Sequence, residues 1–274
     1  MWLRQLSQLL NIVNKEWSMT ALLFYKKGDV IMKILLISGH GAGDSGAIGN
    51  GYKEADLTVE VVKLLKPMLE AYGATVSVYP YERNAYKDIT NGCLKVNFAN
   101  YDYVFEVHFN AGGGVGTEIY VTSKEKATSV EQEVMDKLSK YYKVRGVKVM
   151  DFLVIKTAKN KGVSSALLET CFIDSSSDVK TYQSNKNAIV QAIADGIAEG
   201  FGLKKVKIVA VGSTVKVASN AVVGGLASNR GQACSTYLKS KTWKVSKIQT
   251  NKGVQESLLD GANTWVAIKY LTVA

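Results

Sequence analysis

Lys33-Ile34-Leu35-Leu36-Ile37-Ser38-Gly39-His40-Gly41 is a short apolar run that stops at a glycine and then presents a histidine. Unbroken apolar character over so few residues marks a strand buried on both faces, as in a parallel sheet. The chain holds only two histidines. The second, His108, follows a similar run, Tyr103-Val104-Phe105-Glu106-Val107. Each imidazole therefore stands where a buried strand runs out.

Outward from that stretch the chain alternates strand, loop and helix. Leu57, Val61, Leu64, Leu65, Met68 and Leu69 recur at helical spacing, with Pro67 predicting a kink or break and Gly73 the end. Thr75–Tyr79 reads as a second strand, 84–99 as an irregular, partly helical piece, and Thr117–Thr122 as an alternating strand. Val130, Val134, Met135, Leu138 and Tyr142 mark a helix, and Phe152–Ile155 and Ala166–Phe172 two further strands. Ile189, Ala192, Ile193, Ile197 and Phe201 give the apolar face of a last helix. This alternation predicts an α/β domain over 32–203: a mostly parallel twisted sheet with helices on both faces. After Lys204 the helical period stops. Val206–Val211, Thr214–Ala218, Trp243–Ile248 and Thr264–Tyr270 are strand-like runs separated by Gly, Asn and Ser. They predict a small all-β domain over 204–274.

The totals narrow the function classes. An apolar fraction of 47% describes a globular protein, and no stretch reaches the roughly 18 apolar residues of a membrane span, so no stable membrane insertion is expected. Three scattered cysteines, Cys93, Cys171 and Cys234, make neither a disulfide framework nor a Cys-type zinc site. The net charge of +10 is unevenly placed. From Leu203 on, 11 basic residues face two acids, Glu256 and Asp260, whereas the first 202 residues hold 23 basic and 22 acidic ones. A neutral body with a basic tail domain points to an anionic surface as partner. Nucleic acid is disfavoured, because the basic residues are scattered rather than grouped.

Residues 1–31 read as a leader or non-native extension. Trp2, Leu3, Leu9, Leu10, Ile12 and Val13 suit a short amphipathic helix. The segment lacks the order of basic end, apolar centre and cleavage site that marks a secretory signal. Gly28-Asp29 can be encoded by a purine-rich ribosome-binding sequence ahead of Met32, which makes Met32 the expected start.

Loops at the carboxyl ends of parallel strands share one edge, where ligands gather. His40 and His108 are therefore candidates to converge. A catalytic zinc would need a third protein ligand and an open position, and Glu54 stands where the first long helix begins, near enough to return to His40. Glu169, in Ala166-Leu167-Leu168-Glu169-Thr170-Cys171-Phe172, is a carboxylate in an otherwise apolar strand, costly to bury unless paired or working. Cys171, two residues on, is either a second group facing the site or a small core residue. The same glycine loop, Gly41-Ala42-Gly43-Asp44-Ser45-Gly46, matches G-x-G-x-x-G. A dinucleotide site would open its helix at the third glycine and place an acid at the end of the second strand; Ile48-Gly49-Asn50-Gly51 intervenes and Glu82 comes too late.

Four segments together carry a family resemblance: Ile37-Ser38-Gly39-His40-Gly41, Gly51-Tyr52-Lys53-Glu54, Val107-His108-Phe109-Asn110-Ala111 and Leu168-Glu169-Thr170-Cys171-Phe172-Ile173. Over about 33–202 the chain resembles the zinc-dependent N-acetylmuramoyl-L-alanine amidases of the type-3 kind, found in bacterial autolysins and phage endolysins. The resemblance implies one Zn2+ held by His40, Glu54 and His108, with Glu169 as the catalytic carboxylate. The substrate it implies is peptidoglycan, cut between N-acetylmuramic acid and L-alanine. Glu106 departs from the family, where many members carry serine. It is expected to tune the metal surroundings or orient substrate, and Asn110 either to touch substrate or to shape its loop. In the tail, Trp265-Val266-Ala267-Ile268-Lys269-Tyr270 resembles the last strand of bacterial SH3-like wall-binding domains. Tyr237, Trp243, Trp265 and Tyr270 form either a stacking surface or that domain's core.

The expectation is a phage or prophage endolysin, made in the bacterial cytoplasm without a signal peptide and acting at the cell wall after release. Its basic tail domain would meet an anionic wall polymer. The alternatives are a zinc peptidase cutting within the peptide stem and a wall-binding protein without catalysis.

Overall fold

The computed structural model describes residues 32–205, 209–226, 228–251 and 254–274. The readings placed on 1–31 lie outside them. The chain forms two compact units, one ending at Lys205 and the other Val206–Ala274.

In the first unit, β1 (Lys33–Ser38) leads through a glycine loop and a small hairpin, β2 (Ile48–Gly49) and β3 (Tyr52–Lys53), into α1 (Glu54–Glu70). Then come β4 (Thr75–Val78), α2 (Ala85–Thr90), β5 (Tyr103–Asn110), β6 (Thr117–Val121), α3 (Ser129–Leu138) and β7 (Val144–Val149). The unit closes with α4 (Leu153–Asn160), β8 (Ser164–Phe172) and α5 (Ser176–Gly200). One six-stranded sheet runs β4-β1-β5-β8-β6-β7, parallel throughout except where β6 meets β8. The fold is the mostly parallel α/β sheet the alternation predicts.

Strand alternation decides which layer each residue enters. Ile34, Leu36, Tyr103, Phe105 and Val107 pack with Leu57, Val61, Val134 and Ile193 from α1, α3 and α5. Leu35, Ile37 and Val104 pack on the opposite face with Ala85, Val154 and Ala158 from α2 and α4. The four-residue apolar run Ile34–Ile37 is thus needed at β1, because both its faces are covered by helices.

Three local readings change. Phe152–Ile155 is not a strand: Phe152 caps α4, whose Val154, Ile155 and Ala158 form a one-sided buried stripe. The β-branched pair misleads because its helical partner, Ala158, lies beyond the apolar run. Val144–Val149 is an unanticipated strand, half-exposed at the sheet edge and therefore without an apolar signature. Pro67 sits inside α1 without ending it; so close to the helix end, its missing N–H forfeits a single ladder bond.

The second unit is a five-stranded antiparallel sheet: β9 (Thr214–Val217), β10 (Thr242–Asn251), β11 (Val254–Leu259), β12 (Thr264–Ala267) and β13 (Leu271–Val273). The order is β12-β11-β10-β9-β13, so the first strand pairs with the last. Of the first expected run, 206–208 lie outside the described residues, and 209–211 form no strand. A short helix, α6 (Thr236–Ser240), stands where no helix was expected. Thr264–Tyr270 is strand only to Ala267 and then turns through a 3-10 segment, Ile268–Tyr270. Val215, Trp243, Val245, Leu259 and Val266 fill this unit's core. Trp243 is a core residue, while Tyr237, in edge-to-face contact with it, is exposed.

Candidate active site

β1 ends at Ser38, and His40 follows in the left-handed region at φ 66°. That conformation is unfavourable for a residue with a Cβ, and here it aims the ring back over the sheet edge. Asp44 Oδ2 lies 3.1 Å from His40 Nδ1 and fixes the ring's orientation. His108 comes from the next strand of the sheet, near the end of β5. Gly39 lies directly against it: a Cβ there would stand 2.3 Å from the His108 ring. Only glycine permits the two histidines to face each other at a centroid distance of 4.9 Å.

Glu54 is the first residue of α1, and the Thr58 hydroxyl, donating to the Gly39 carbonyl at 2.9 Å, ties that first turn to the end of β1. The Glu54 carboxylate then lies between the rings. Its Oε2 is 3.0 Å from His40 Nε2 and its Oε1 2.9 Å from His108 Nδ1. The backbone N–H groups of Ala47 and Phe109 donate to it at 2.9 and 3.0 Å. Burial works against this charge, but the two imidazoles hold the Glu54 carboxyl well below the usual range. Glu54 raises His40 in turn. His108 is raised despite its burial by Glu106 and Glu54.

Glu169 stands opposite His108 in the β5–β8 register. Its Oε2 is buried and has no hydrogen-bond partner among the described residues. Burial, helped by the charges of Glu54, Glu118 and Glu106 and opposed by His108, pushes this carboxyl up to about 7. A carboxylate so placed exchanges protons near neutrality. The cleft beside it is lined by His40, Glu54, Glu106, His108 and Glu169, with Phe152 and Leu153 as apolar walls.

The structure therefore brings His40, Glu54, His108 and Glu169 to one place. Glu106 joins them, its Oε1 3.3 Å from His108 Nε2, as alternation along β5 requires. Asn110 also lines the cleft, but its amide is engaged: Nδ2 donates to Glu118 at 2.8 Å and Oδ1 accepts from the Ala111 N–H at 2.8 Å. Cys171 belongs to the core. A register shift in β8 opposite His108–Asn110 turns it away from the face that carries Glu169.

Sequence reading passed over Asp44 as part of a glycine motif, although an acid four residues after a lone histidine was the available signal. It also passed over Glu118, a carboxylate inside an alternating strand.

The ligand atoms of His40, Glu54 and His108 all lie within 4.8 Å of one another. Two imidazoles and a carboxylate form the donor set of catalytic zinc sites. With Gly39 leaving no room for a side chain beside them, the residues present fit such an ion.

Residues 34–199 match the model of the N-acetylmuramoyl-L-alanine amidase family. The chain belongs to that family. It is a peptidoglycan amidase, and its relatives agree with the assignment. An endolysin of Bacillus phage SPP1 is 32% identical over 184 residues, 63% of this chain and 67% of that one. The N-acetylmuramoyl-L-alanine amidase CwlM of Bacillus licheniformis is 30% identical over 184 residues, 64% of this chain and 71% of that one. Among solved structures, the catalytic domain of the CD27L endolysin targeting Clostridia difficile shares the amidase fold. Its TM-score is 0.54 at 23% identity, over 61% of this chain and 97% of that one.

Proposed function

We propose that this amidase is a zinc enzyme that cuts the amide between N-acetylmuramic acid and L-alanine, with His40, Glu54 and His108 holding the metal and Glu169 moving the protons. The observation that carries the reading is the convergence of three ligand atoms within 4.8 Å beside a buried carboxylate oxygen that has no hydrogen-bond partner among the described residues. Bound there, zinc would supply Lewis-acid polarisation and bring the pKa of water to about 7. Glu169, ionised, accepts a proton from the attacking water and later returns one to the leaving amine of L-alanine. Asp44 keeps His40 in one orientation through Nδ1, and Glu106 does the same for His108. Phe152 and Leu153 limit water around the scissile amide.

The role we assign is that of a phage endolysin, made in the cytoplasm and reaching the wall after release; the similarity to the SPP1 endolysin supports it. We read the second unit as an SH3-like module that holds the enzyme on an anionic wall polymer. Its excess of basic residues and its first-to-last strand pairing support this reading.

Metal analysis of the purified protein, combined with identification of the amino terminus released from walls, tests the assignment. One zinc per chain and a new L-alanine terminus are expected. Any other terminus would make the enzyme a stem peptidase, and full activity after exhaustive chelation would remove the metal from the mechanism.

A further inference from the structure

A row of charged side chains crosses the sheet away from the cleft. His108 pairs with Glu169, and Glu169 pairs in turn with Glu118 on β6. On β7 the row continues with Arg145 and Lys148. Strict alternation would send residues three apart to opposite faces. Gly146, at φ 98°, and the β6–β7 register shift between Thr117 and Ile119 add one residue to the edge strand. Both cations then reach the same carboxylate.

Arg145 Nε donates to Glu118 Oε2 at 2.5 Å, and Lys148 Nζ bonds the same oxygen. Oε1 accepts from Asn110 Nδ2 at 2.8 Å and from the Tyr120 hydroxyl at 2.7 Å. Glu118 is 2% exposed, whereas the two cationic side chains are 34% and 35% exposed. Two cations on one buried carboxylate leave one uncompensated positive charge on the surface. The Arg145 guanidinium lies 5.0 Å over the Phe172 ring, which steadies it. Its two terminal nitrogens have no acceptor among the described residues, so the fork remains open to a carboxylate.

The surface is continuous with the cleft. Phe152, a cleft wall, meets Tyr120 edge to face at 5.1 Å, and Lys148 lies 5.7 Å over the Tyr120 ring. Two strand steps separate Arg145 from Glu169, about 10 Å. An extended peptide covers that distance in about three residues.

We propose that Arg145 and Lys148 form a carboxylate-binding subsite for an acidic residue of the stem peptide, about two or three positions beyond the scissile amide. The proposal rests on the reading that cleavage occurs at Glu169. The test compares two soluble muramoyl peptides that differ only in whether the carboxylates of the second and third stem residues are free or amidated. With the full chain, kcat/KM is expected to favour the free acid by about tenfold, mainly through KM. In Arg145→Gln/Lys148→Gln/Glu118→Gln, where no buried charge is left unpaired, that ratio falls to near one. A parent ratio near one, or a variant that keeps the parent's ratio, overturns the proposal. Should the triple variant fail to fold, Lys148→Gln alone leaves Glu118 paired with Arg145 and must still lower the ratio severalfold; an unchanged ratio there is equally fatal. Glu169→Gln, assayed alongside, separates the two ideas. Retained turnover on both peptides sinks the catalytic reading, while the ratio with Glu169 intact concerns the subsite alone.

Discussion

At the residue scale the site depends on burial without satisfaction. Glu169 is held in an apolar strand, and its pKa of about 7 follows from that burial. Glu169→Gln is expected to keep the fold, since it removes a buried charge, while amidase activity drops by about two to four orders of magnitude; wall clearing beside a thermal melt measures both. The sign of the pH dependence follows. A proton acceptor must be ionised, so activity should rise with pH through about 7 and fall on the acid side. Metal loading pushes the same way, because His40 and His108 must lose their protons to bind an ion. An initial-rate profile that is flat or falls between pH 6 and 8 would contradict this. Gly39→Ala probes the close approach. Its Cβ would lie 2.3 Å from the His108 ring, so His108 must swing aside. Zinc content, measured after dialysis, should fall with it.

At the scale of elements, the helices do more than cover the sheet. α1 delivers Glu54 to the rings through its first residue, and α4 supplies the apolar wall at Leu153. The first turn of α3 buries Glu131, whose Oε1 accepts from the Tyr103 hydroxyl at 2.7 Å. Burial raises this carboxyl to about 7, opposed by Tyr103. The native protein therefore keeps a proton that the unfolded chain releases at about 4.5. The contribution to stability is complete below that value and is lost as pH rises through about 7. Glu131→Gln retains a partner for Tyr103 and carries no charge. Its melting temperature should exceed the parent's at pH 8, with the gap closing towards pH 4.5 and a limit on the order of 3 kcal/mol. Equal gaps at both pH values would show that Glu131 is not the group responsible. The elements also explain where sequence reading slipped. β7 is an edge strand with one half-polar face, and α4 is a helix whose apolar stripe is too short to display its period. Neither carries enough buried surface to imprint a pattern.

At the scale of the whole molecule, charge is divided between the units. From Val206 on, nine basic residues against two acids give the second unit a strong positive balance. If it holds the enzyme to an anionic wall polymer, binding of an inactive Glu169→Gln full chain to purified walls should weaken steeply between about 0.05 and 0.5 M salt, where the Debye length shrinks below about 5 Å. Walls stripped of their anionic polymer should retain less protein. Salt-independent retention on both would point to a neutral ligand instead.

The alternation of strand and helix, the change of character after Lys204 and the two histidines at strand ends are legible in the residues alone. Those features follow from apolar periodicity and residue identity, which are local. Pairing between strands places Glu54 between the rings, leaves Glu169 Oε2 without a hydrogen-bond partner among the described residues, and through a bulge at Gly146 gathers Arg145 and Lys148 on one carboxylate. Each of these depends on register between strands distant in the chain, and a one-residue shift reverses the face on which a side chain lies. The stretch from Lys33 to Gly41 shows both levels. Its strand is legible from its own residues, but His40 acquires a role only beside His108, which no local pattern brings to it.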